Sequence, residues 1–133
     1  MTRMKQLRPS SAKKAIDLLS SAKVTITRHG RPRRRPNIDS RPVATSSSGK
    51  QVSPYSPGAA HWSLPGAFKA DAKALGYTGG IVKLAEMYFV AAYREKYPYA
   101  SKDVTTIDAE EFDTREIVRA LQRAIVTLSE LAD

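Results

Sequence analysis

The sequence predicts an α+β domain, mostly helical, with about four helices around one small β-hairpin and a long basic Pro/Arg-rich loop. Three observations predict it. Apolar residues recur at helical spacing in two stretches: Ile81, Leu84, Ala85, Tyr88, Phe89 and Ala92, then Ile117, Leu121, Ile125 and Leu128. Two short β-prone arms carrying Val43 and Val52 flank a serine-rich turn with Gly49 in it. Residues 28–42 hold six arginines, with prolines at 32, 36 and 42, and this combination disfavours a compact helix. The chain of 133 residues shows no internal repeat, so residues 1–133 are expected to form one small domain.

The first helix opens after Pro9, with Ser10 or Ser11 as its cap, and carries an apolar stripe of Ala12, Ala15, Ile16, Leu19 and Ala22. It is about three turns long on this pattern. Residues 23–27, KVTIT, are β-branched and alternating, and predict a short strand or an extended exit. Residues 28–42 then form a basic arm or insertion. Each of Arg31, Arg35 and Arg41 precedes a proline and is pushed toward extended geometry, and Arg33, Arg34 and Arg35 repel one another.

The hairpin over 43–53 is turned by Gly49. Ser56 and Pro57 predict the start of a helix that runs past Trp62 to Gly76, kinked in its middle by Pro65 and Gly66. A turn at 78–80 leads to the strongest helical pattern, which Pro98 stops. Residues 99–112 predict an irregular connection with a short strand at 104–107. Asp113 stands three residues before Glu116, a capping-box spacing that opens the last helix.

Net charge is +9, but it is local. Residues 1–60 hold 13 Lys/Arg against Asp17 and Asp39, whereas residues 61–133 hold 9 against 11 acids. Such asymmetry points to a polyanionic partner. The absence of cysteine excludes a disulfide scaffold and thiolate-bound metal. The longest apolar run is seven residues, 87–93, so no transmembrane segment is expected. The N-terminus has no apolar core of the kind a secretory signal needs.

Several motifs together resemble a family of short actinobacterial and phage proteins described only as a domain of unknown function. They are Ser48-Gly49-Lys50-Gln51-Val52-Ser53-Pro54, Ser56-Pro57-Gly58-Ala59-Ala60-His61-Trp62, Gly66-Ala67-Phe68, Glu116-Ile117-Val118-Arg119-Ala120-Leu121 and Arg123-Ala124-Ile125. The sequence departs from that family at Ser63, where relatives often have cysteine, and at Pro65. The resemblance implies a scaffold of short helix, Gly-turn hairpin, Trp helix and C-terminal helix, into which the arm is inserted. It implies a bacterial host cytoplasm or a virion, and no established activity.

Chemistry in the chain is sparse. His61 and Ser63 are two apart and would point in different directions on a helix, so no catalytic residue is expected and the protein reads as non-enzymatic. Asp108, Glu110, Glu111 and Asp113 lack the calcium-loop pattern and read as a solvated acidic turn; neither metal nor cofactor is expected. The arginine arm is the strong signal, because guanidinium matches phosphate oxygens bidentately. The expected nucleic-acid-binding residues are Arg28, Arg31, Arg33, Arg34, Arg35 and Arg41, extended by Lys13, Lys14, Lys23 and Lys50. The expected partner is the DNA or RNA backbone, read through phosphates. The alternative is an acidic protein surface on which the arm orders.

Overall fold

The computed structural model describes residues 8–33 and 41–132. Among them are five helices and one two-stranded antiparallel sheet, in keeping with the mostly helical α+β class.

The first helix, α1, spans Pro9–His29, about twice the predicted length. The stretch expected as a strand, 23–27, is helical. Ile26 is the reason: it stands four residues after Ala22 and continues the buried stripe of Ala12, Ala15, Leu19 and Ala22. Burial of an isoleucine is worth about 2 kcal/mol, against a few tenths for each β-branched residue held in a helix. Thr25 also finds a partner there, donating to Asp71 at 2.9 Å. The helix ends at Gly30, whose φ of +77° is a left-handed value that favours glycine.

Strand β1, Ala44–Thr45, pairs with β2, His61–Trp62, in the register Ala44↔Trp62 and Thr45↔His61. Gly49, at φ +87°, turns the chain after β1, and Ser46 N–H closes the loop on Lys50 O at 2.8 Å. The expected second arm meets β1 only in a bridge between Gln51 and Thr45 and a bond from Val52 N–H to Ala44 O. The longer pairing goes to 61–62, which the sequence had suggested as helix. Ser56-Pro57 makes a turn instead, with Ala59 N–H bonded to Ser56 O.

Helix α2, Leu64–Leu75, starts at the proline that was expected to kink it. Pro65 lies in the first turn, where its missing N–H leaves nothing unsatisfied. Ser63 is the cap: its Oγ accepts Gly66 N–H and donates to Val43 O, both at 3.1 Å. Gly66 is required by close approach, since a Cβ there would collide with the Val43 carbonyl oxygen.

Helix α3, Gly79–Lys96, follows the predicted period. Residues 104–110 are helical rather than extended: α4 spans Val104–Glu110, capped by Asp103, which accepts Thr106 N–H at 3.1 Å. Helix α5, Thr114–Ala132, opens where Asp113 accepts Arg115 N–H at 2.9 Å. The core gathers α1 against α5, α2 and α3, with Phe68, Phe89, Leu18, Leu19, Ile117, Leu121 and Leu128 fully buried. No described helix is long and apolar enough to cross a membrane.

Candidate nucleic-acid interface

The two ends of the basic segment are fixed to one place on the bundle. Arg31 leaves the end of α1 with its side chain 1% exposed and faces Asp108, 3% exposed, at 3.2 Å. Its Nη1 also donates to Asp108 O at 2.9 Å, its Nη2 to Glu111 O at 2.7 Å and its Nε to Thr114 Oγ1 at 3.1 Å. Arg41 arrives from the other end. It donates to Asp108 O at 2.9 Å, Glu111 O at 3.1 Å and Pro32 O at 2.8 Å. The carbonyls of Asp108 and Glu111 belong to the last turn and cap of α4, so the two guanidiniums serve as its C-terminal cap.

Asp108 also accepts Leu64 N–H at 3.0 Å, which ties the start of α2 to the same corner. Burial pushes its carboxyl above the ordinary value, while Leu64 N–H and the two arginines pull it back. The solvated acidic turn expected at 108–113 is therefore wrong for Asp108. Glu111 is also engaged, accepting Tyr93 Oη–H at 2.8 Å and Asp113 N–H at 3.1 Å. Asp108 stands four residues after Val104, on the same helical face, and that spacing was the available sign of its burial.

The ten residues expected to bind nucleic acid divide into distinct groups. Arg31 and Arg41 are structural anchors: their guanidiniums are buried, which removes them from the set that can meet phosphate. Lys14 and Lys23 are nine apart on α1, which puts them on opposite faces. Lys14 lies 5.9 Å from the Tyr77 ring centroid, and Lys23 donates to Gln122 of α5 at 2.6 Å, so these two cannot share one patch. Lys13 is exposed beside Lys14. Arg28, in the last turn of α1, Arg33 and Lys50 are exposed around the root of the arm. Arg34 and Arg35 lie outside the described residues.

Between the arm root and the hairpin turn runs a groove of about 670 Å³. Arg31, Pro32, Arg33 and Pro42 form one side, and Ser47, Ser48, Gly49 and Gln51 the other. His61 also lines it, with Nδ1–H donated to the His29 carbonyl. No carboxylate lines this groove among the described residues.

A second groove, about 450 Å³, lies between α3 and α5 and differs in electrostatics. Its cations are matched by acids: Lys96 and Arg119 each pair with Glu116 at 2.6 Å, and Arg123 pairs with Glu95 at 2.8 Å. Ser63 and His61 form no catalytic pair, since Ser63 Oγ is engaged with Val43 and Gly66 and His61 with His29. No family model matches the chain, and neither a curated protein nor a solved structure is significantly similar to it.

Proposed function

We propose that the protein is a small, non-enzymatic accessory protein that binds nucleic acid through phosphate contacts around the root of its arginine segment. One observation carries this reading: Arg31 and Arg41 fasten both ends of the segment to Asp108 and Glu111, with Arg28, Arg33 and Lys50 exposed around it. A bolted base lowers the ordering entropy that a free arm would lose on binding. Arginine at such a place favours phosphate oxygens over neutral ligands. The resemblance to short actinobacterial and phage proteins supports a setting in a bacterial host cytoplasm or on a virion.

Fluorescence anisotropy with random-sequence DNA and RNA across a salt series tests the reading. Five cations, Arg28, Arg33, Arg34, Arg35 and Lys50, remain for phosphate, so the logarithmic salt slope on duplex DNA is expected at about −4.5. The triple variant Arg33→Ala, Arg34→Ala, Arg35→Ala is expected to lower both affinity and slope. Arg31 and Arg41 are left intact, because their loss would damage the fold. Absence of binding at low salt, together with nuclease-resistant capture of an acidic protein, would replace this reading with the protein-interaction one.

A further inference from the structure

The groove at the foot of the arm has features beyond a general basic surface. It is concave, its two walls come from different parts of the chain, and both walls are held. On one side Pro32 is fully buried and its carbonyl accepts from Arg41 at 2.8 Å. On the other the turn is closed by Gly49 N–H to Ser46 O at 2.9 Å and by Lys50 N–H to Ser46 Oγ at 3.2 Å. The exposed groups on these walls are the Arg33 guanidinium and the polar side chains of Ser47, Ser48 and Gln51. Among the described residues Arg33 faces no carboxylate partner.

We infer that this groove is a phosphate subsite that seats the backbone of a single nucleic-acid strand in preference to a duplex. The inference rests on the nucleic-acid reading above and names the form of the ligand. A duplex is a stiff rod too wide to enter a groove of about 670 Å³, whereas a lone strand is narrow and flexible enough to follow its floor. Single-strand binders use such positively charged grooves to track the backbone. Arg33 supplies the charge and the fork of donors. Ser47 supplies a hydroxyl donor from the opposite wall, beside Ser48, whose Oγ shares a hydrogen bond with Ser46 Oγ at 2.9 Å. Arg31, fixed to Asp108, keeps the wall that carries Arg33 in place.

The test measures anisotropy of a short fluorescein-labelled oligothymidylate and of a labelled duplex of equal length, at one low salt concentration, with inorganic phosphate as a competitor. The single strand is expected to bind about tenfold more tightly than the duplex, and phosphate at high concentration to displace it. Arg33→Ala is expected to weaken the single strand about tenfold while leaving duplex binding less affected. Ser47→Glu with Ser48→Glu places carboxylates on an exposed wall. This pair is expected to weaken the single strand at least as much, with an unchanged melting temperature. Equal or tighter duplex binding overturns the groove inference and leaves the nucleic-acid reading standing. So does full single-strand affinity in both folded variants. Binding of neither probe overturns both.

Discussion

Arg31 and Asp108 stand 77 positions apart in sequence and meet at 3.2 Å, with side chains 1% and 3% exposed. Neither could be buried alone, because a lone charge away from water costs several kcal/mol. Their contact joins the end of α1 to α4, and Leu64 N–H brings in the start of α2.

Breaking that contact from one side removes the nearest opposite charge from a buried group, and leaves Asp108 only the more distant Arg41, at 3.9 Å. Arg31→Ala is expected to destabilise the fold by about 3–5 kcal/mol, measured by urea denaturation. Asp108→Asn keeps an acceptor for Leu64 N–H but leaves Arg31 without its carboxylate, and should fall in the same range. A loss below about 1 kcal/mol for both would show that the contact carries little of the stability.

Gly66 gives a steric prediction. Alanine there drives a methyl group into the Val43 carbonyl oxygen, and backbone on both sides limits relief. Gly66→Ala is expected to cost about 3 kcal/mol, the upper end for overpacking. Gly79→Ala, at the start of α3 with nothing within 4 Å of the added carbon, should be neutral or stabilising by up to about 1 kcal/mol. Thermal denaturation of the pair separates sterics from chain entropy.

Ser63 caps α2 and fastens β1 with one hydroxyl. Ser63→Ala is expected to cost about 2 kcal/mol, at the high end for a cap because the site is buried. Proton exchange should quicken first at Gly66, whose N–H loses its acceptor.

The pH dependence has a defined sign at Glu116. Bonds from Lys96 and Tyr97 hold its carboxyl below the ordinary 4.5. A depressed folded value means that the contribution is fully present above 4.5 and is lost as pH falls through the lower, folded value. Stability measured from pH 7 downward should drop more steeply in the wild type than in Glu116→Gln. Parallel curves would show that Glu116 has no linked role. Asp108, raised by burial, biases the wild-type curve the opposite way, which is why the difference between the two proteins is the quantity to read.

The long periodic helices were legible in the sequence. Ile81 to Ala92 and Ile117 to Leu128 repeat their apolar faces for several turns, and the structure buries those faces. Gly49 was legible as a turn because few residues other than glycine take a φ of +87°. Where two local signals competed, the reading failed. Residues 23–27 carried β-branched preference, yet Ile26 had a place in the core. Pro65 could kink a helix or begin one, and Ser63 decided it from the cap position. Helix α4 is only seven residues long, too short for periodicity to separate it from a strand. The arginine clamp was hidden for another reason. Composition shows how many cations a segment has, but not which of them will meet a carboxylate 67 or 77 residues away.

The bond from Arg41 to the Pro32 carbonyl brings the two stems of the segment together beside the end of α4. Evolution, or an engineer, can therefore treat the interval between those stems as a cassette. Loop-closure entropy rises by only about 0.6 kcal/mol for each doubling of length. Sequences of different length and chemistry could be exchanged between Arg33 and Arg41 at small thermodynamic expense, provided that the two flanking Arg-Pro pairs are kept. On that view the domain is a holder whose grip, Arg31 and Arg41 on Asp108 and Glu111, is separate from what it holds.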